Sequence, residues 1–132
     1  GGFIRRYAPP LGPGVAERFA WSSQVSDEQA SQATAFRARL RAHLDALLGT
    51  DGVFVMPTMP DIAPLRSAPE STLEDYRNRA IRMLCIAGLA GLPQLSLPLA
   101  GRDGAPLGLS LMGPAGSDAS LVRLAQRIVG EG

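Results

Sequence analysis

Apolar residues along this chain switch between two periodicities, and breakers mark where each switch occurs. From Ser26 the pattern is helical: Ala33, Leu40, Leu44 and Leu47 recur on one face with Arg37, and Phe36 and Leu48 widen the stripe. Ser26 with Gln29 forms a capping-box pair at the start, and Gly49 is a natural stop. A short β-branched run follows, Gly52 to Met56, closed by Pro57, which predicts a buried strand. The stretch Pro57 to Pro64 holds three prolines and is expected to be irregular, because each removes a donor and restricts its neighbour.

A second helix is predicted from Ser71, paired with Glu74 as another capping box. Its stripe runs through Leu73, Tyr76, Ala80, Met83, Leu84 and Ala87, and Gly88 or Gly91 ends it. Period-two alternation then sets Leu95, Leu97 and Leu99 on one side of a strand over 94–99. The same pattern sets Leu107, Leu109 and Leu111 on one side of a strand over 107–112. Asp103-Gly104 between them is a turn-prone pair and makes an antiparallel hairpin plausible. Ser117 caps a last helix bearing Leu121, Leu124, Ala125 and Ile128 on one face.

The order over 26–132 is thus helix, strand, helix, strand, strand, helix. Residues 1–25 read as an irregular connecting segment, since Pro9, Pro10, Gly12, Pro13 and Gly14 punctuate them, while Phe3, Ile4, Tyr7, Phe19 and Trp21 supply apolar anchors. Three strands are few for a self-sufficient sheet, so 1–132 reads as one portion of a larger α/β domain, a mixed sheet flanked by helices.

Composition narrows the chemistry. All 13 basic residues are Arg, balanced by 12 acidic ones for a net charge of +1, so no basic face for nucleic acid is expected. Without Lys, no mechanism needing a Lys base or Schiff base is complete within these residues. One cysteine, Cys85, precludes an internal disulfide and points to the cytoplasm. Gly1 to Ile4 is too short for a secretory signal, and the apolar stretch from Met83 to Leu92 is too short to span a bilayer, so no membrane partner is expected. His43 lies off the main stripe of its helix and has no Cys or Ser partner placed by sequence. His43 and Cys85 do not give metal-ligand spacing, so no metal is expected. Ser22-Ser23 follows Trp21 without flanking glycines and reads as polar loop residues.

Four blocks then carry a resemblance. Asp51-Gly52-Val53-Phe54-Val55-Met56-Pro57-Thr58-Met59-Pro60 is followed by Ala63-Pro64. Next come Gly88 to Leu99, containing Gly91-Leu92-Pro93, then Pro106 to Gly113, then the helix within Gly116 to Ile128. In this order they resemble the C-terminal portion of the amidase-signature family. Gly12 to Arg18 and Leu84 to Gly88 look most like its plant-type branch, which contains indole-3-acetamide hydrolases.

The resemblance implies hydrolysis of a carboxamide through a Ser acyl-enzyme, with no cofactor. It also implies that the Ser–Ser–Lys set and its Gly/Ser-rich loop belong to an N-terminal portion preceding these residues. It makes Ile81, Leu84, Cys85 and Gly88 candidates for a substrate-channel wall, although the same residues would satisfy a structural stripe and Cys85 alone reads as a small buried hydrophobe. Thr58 has two readings: it orients the Pro-rich segment through local backbone bonds, or it borders the active-site cleft.

Where a glutamine-dependent branch would carry an acidic residue, the ungapped position falls near Ile81, beside Arg82, which implies an uncharged, aromatic amide; a slip of one turn brings in Arg77 or Asp75. The implied partners are a small-molecule amide and the N-terminal catalytic portion. A homodimer stays open, as does a catalytically inactive binding domain like the chloroplast import receptors of the same branch.

Overall fold

The computed structural model describes residues 2–12 and 14–130 and forms two compact units, Gly1–Phe36 and Arg37–Gly132. In the first unit the segment expected to be irregular is helical in two places, α1 (Gly2–Tyr7) and α2 (Val15–Ser22). Pro9 and Pro10 fall between these helices rather than within them, so they delimit short helices instead of abolishing them. Gly1 and Pro13 of that segment lie outside the described residues.

Helix α3 (Asp27–Leu48) runs across the boundary between the units. Its capping box forms: the Ser26 amide donates to Gln29 Oε1 at 2.9 Å, and the Gln29 amide donates to Ser26 Oγ at 3.2 Å.

The second unit is organised by a sheet of β1 (Phe54–Pro57), β2 (Gln94–Arg102) and β3 (Ala105–Met112), in the order β1-β3-β2 with both pairings antiparallel. The pairing expected of a mixed sheet is not among these strands. β1 is an edge, not a buried strand: of its residues only Met56 is buried, and Val55 is 54% exposed.

The β2–β3 hairpin closes through Asp103 (φ 52°) and Gly104 (φ 77°), the pair of positive dihedrals that a two-residue turn needs to match strand twist. At the turn Arg102 faces Ala105 and Ala100 faces Leu107. Beyond Pro98 the register has shifted by one residue, so that Leu97 faces Leu109 and Ser96 faces Ser110. A proline cannot donate to the ladder, and a bulge is where a sheet tolerates it. The bulge corrects the expected alternation: Ala100, not Leu99, meets Leu107, and Leu99 is 45% exposed.

Side chains of this sheet join two separate apolar clusters. Met56 and Met112 pack with Leu44 and Leu48 of α3, with Leu92, and with Ala87 and Ala90 of α4 (Glu70–Ala90). Leu97 and Leu111 pack with Leu121 and Ala125 of α5 (Asp118–Gly130). The cap of helix α4 is Pro69, two residues before the expected Ser71, and it makes no side-chain cap bond, so the Ser71–Glu74 box does not form. Gly91 in the left-handed region (φ 69°) ends it. The Ser117 backbone carbonyl accepts from Ser120 and Leu121 at the start of α5, while its buried Oγ has no partner, so the expected side-chain cap is absent.

Val53, Phe54, Val55, Ile81 and Leu99 remain uncovered in this unit. A sheet of three strands with one bare apolar edge should not fold cooperatively alone. Calorimetry of the isolated 132-residue chain is expected to give a broad, non-cooperative transition; a sharp two-state transition would contradict this.

Candidate functional site

The irregular segment after β1 begins with Thr58, and Thr58 is tied to the sheet rather than to its own loop. Its amide donates to the Gly108 carbonyl at 2.7 Å, which continues the β1–β3 ladder by one step. Its Oγ1 lies 2.7 Å from Ser96 Oγ and 2.8 Å from Ser110 Oγ, and Gln94 Nε2 donates to Ser110 Oγ at 2.9 Å. Of the two readings of Thr58, orientation of the Pro-rich segment by local side-chain bonds is therefore corrected. The hydroxyl instead bonds residues 38 and 52 positions away in sequence.

Gly108 makes this meeting possible. A Cβ there would stand 2.6 Å from Thr58 Oγ1 and 2.7 Å from Ser96 Oγ, inside any real carbon contact. Ser110 is completely buried, so its bonds to Thr58 and Gln94 replace those that water would have made.

The rest of the segment is clamped by Asp61. Its Oδ1 accepts from the Ile62 amide at 2.8 Å and from Arg102 Nη1 at 3.0 Å, and its carbonyl accepts from the Tyr76 hydroxyl at 3.1 Å. The segment is thereby fixed both to α4 and to the end of β2. Tyr76 was expected only as a stripe residue, and nothing in the spacing of Tyr76 or Arg102 signals these bonds.

Ile81, Leu84, Cys85 and Gly88 share one face of α4, at spacings of three, four and seven residues. The buried residues Ala80, Ala87 and Ala90 and the core-packed Met83 and Ile86 occupy a different part of the helix circumference. The helix is thus apolar on two faces, and the described residues cover only one. Ile81 is 63% exposed, and open space lies beyond Gly88. Leu84 and Cys85 are half-buried, which corrects the expectation that Leu84 belongs to the core stripe and that Cys85 is a buried hydrophobe. The Cys85 thiol donates to the Arg82 carbonyl at 3.4 Å.

Thr58 and this stripe are built on different elements. The bonds of Thr58 run to β2 and β3, and among the described residues those of the intervening segment reach α4 through Tyr76.

Other residues singled out in the sequence play local parts. In the first unit the Ser22 and Ser23 hydroxyls donate to the Phe19 and Ala20 carbonyls one turn back. His43 is exposed on α3. Arg77 pairs with Glu70 at 2.8 Å and Arg79 with Asp75 at 3.0 Å, and all four side chains are exposed. Among the described residues no group of three or more His, Cys, Asp or Glu side chains could hold a metal ion.

The family model described as Amidase matches residues 6–122. The chain belongs to the amidase family. Amidase 1 from Arabidopsis thaliana is 37% identical over 124 residues, which cover 94% of this chain and 29% of that protein. This agrees with the plant-type branch read from the motifs. Outer envelope protein 64, chloroplastic, from Arabidopsis thaliana is 31% identical over 126 residues, 96% of this chain and 21% of that protein. A solved structure titled as a crystal structure of amidase superposes with a TM-score of 0.81 at 22% identity, covering 97% of this chain and 30% of the other. The fold is accordingly that of the C-terminal part of the amidase fold. The chain spans less than a third of the length of each of these proteins.

Two glycines of this amidase portion should respond oppositely to the same methyl group. In a protein carrying the rest of the domain, Gly108→Ala is expected to cost about 1–3 kcal/mol by crowding the hydroxyls. Gly88→Ala, in a helix and facing open space, is expected to stabilise by about 0.5–1 kcal/mol unless another segment packs there. Thermal unfolding of both variants measures the contrast, and equal effects would count against this packing of Thr58 over Gly108.

Proposed function

We propose that these residues are the C-terminal part of an amidase that hydrolyses an uncharged, aromatic carboxamide to a carboxylate and ammonia. The observation that carries this reading is the family match over 6–122 together with a fold that accounts for 30% of a solved amidase chain. The reaction runs through a Ser acyl-enzyme whose Ser–Ser–Lys set lies in an N-terminal portion of the same protein. The absence of any Lys from all 132 residues supports that division of labour.

This portion then contributes scaffold and one wall of the substrate channel. The uncovered apolar face of α4, with Ile81, Leu84, Cys85 and Gly88, is the wall that receives the aromatic group. Between Ile81 and Gly88 this face carries no acidic side chain that would select a substrate amino group, and Glu74 lies on it two turns earlier. Thr58 borders the same channel from the sheet. We place the protein in the cytoplasm, a reading supported only by the single unpaired Cys85.

A second reading is favoured by the 31% identity to outer envelope protein 64: an amidase-like domain that binds a partner without catalysis. The two readings separate on the chemistry of the N-terminal portion.

Ammonia release from indole-3-acetamide by the whole protein tests the proposal. Steady hydrolysis is expected, and Ile81→Asp is expected to lower kcat/KM for this substrate about tenfold or more, since an aromatic group would lose an apolar contact and meet a charge. Intact catalytic residues with no turnover on any aryl amide would favour the binding reading.

A further inference from the structure

The hydroxyl cluster on the sheet has a direction, and the direction ends in an unused donor. Gln94 Nε2 can only donate, so Ser110 Oγ accepts from it at 2.9 Å. Ser110 is fully buried and bonds only Gln94 and Thr58, so its single hydrogen has one place to go, Thr58 Oγ1 at 2.8 Å. The opposite arrangement would bury an unpaired hydroxyl hydrogen, which is the costly alternative.

Thr58 has then accepted from Ser110, and its own hydrogen goes to Ser96 Oγ at 2.7 Å. Ser96 is exposed and has no further partner among the described side-chain bonds, so the chain of donors leaves one O–H without a partner among the described residues. Successive polarisation along such a chain strengthens its last donor. Gly108 holds the final pair together, since any side chain there would force Thr58 and Ser96 apart.

We propose that Ser96 is a substrate-specificity residue whose hydroxyl binds an uncharged acceptor oxygen on the amide substrate, one distinct from the scissile carbonyl. The ligand class follows from the cluster's composition. All four side chains are neutral, which suits a ketone, ether or hydroxyl oxygen rather than a carboxylate, for which a guanidinium would be the expected partner. Thr58, Ser110 and Gln94 are positioning residues that act through Ser96. This inference rests on the amidase reading above.

The test uses the whole protein and a panel of 2-phenylacetamides, the unsubstituted amide and its methoxy and acetyl derivatives at each ring position. With Ser96→Ala, at least one oxygenated amide is expected to lose about 2- to 12-fold more kcat/KM than the unsubstituted one, mainly through KM. Thr58→Val should reproduce that selective loss, and Thr58→Ser, which keeps the relay, should restore it. A uniform effect of Ser96→Ala across the panel, or none, overturns the specificity role while leaving the amidase reading intact. Failure of the unmodified protein to hydrolyse any panel member overturns both.

Discussion

The second unit depends on the register of one hairpin. Asp103-Gly104 fixes which residues face each other near the turn, and the bulge at Pro98 then shifts that register by one. Because side chains alternate across a strand, a one-residue shift moves every later side chain to the other face. With the bulge, Leu95 and Leu97 join Leu111 on the face that α5 covers, and Ser96 meets Ser110 on the face where Thr58 arrives. Without it, the count from the turn would set Leu97 against Ser110, burying a hydroxyl against a leucine and turning Ser96 towards α5. The apolar cluster beneath α5 and the hydroxyl cluster thus share one cause.

Much of this architecture was legible in the sequence because local rules govern it. The Ser26–Gln29 box, the Gly91 stop and the Asp103-Gly104 turn act over two to four residues, and each forms as the residues dictate. The expectations that failed depended on context. Ser71 and Glu74 have the right spacing for a cap, but Pro69 already has the extended backbone that starts the helix two residues sooner. The proline-rich beginning of the chain hid two short helices because prolines mark ends as readily as interruptions.

The site was legible only in part. Ile81, Leu84, Cys85 and Gly88 stand out because their spacing gives α4 a second apolar face, which periodicity can detect. The partners of Thr58 could not be read in the same way, since they come from two other strands and depend on the bulge. Pro98, a residue that a strand accommodates poorly, was the available sign that the alternation would break there. The bond from Tyr76 to the Asp61 carbonyl and the Arg102–Asp61 pair had no local sign at all. For an amidase portion of this kind, the sequence identifies the family readily, whereas the contacts that shape the cleft emerge only once the strands are paired.

The most direct measurement is disulfide trapping across the hairpin in the whole protein. Residues that face each other in an antiparallel pair have Cα atoms about 4.5–5.5 Å apart, within the reach of a disulfide. Under mild oxidation the double variant Ser96→Cys with Ser110→Cys is expected to cross-link, and Leu97→Cys with Ser110→Cys is expected to stay reduced. The reverse result would mean that the strand runs without the bulge, and it would remove the basis for both the hydroxyl cluster and the apolar packing under α5.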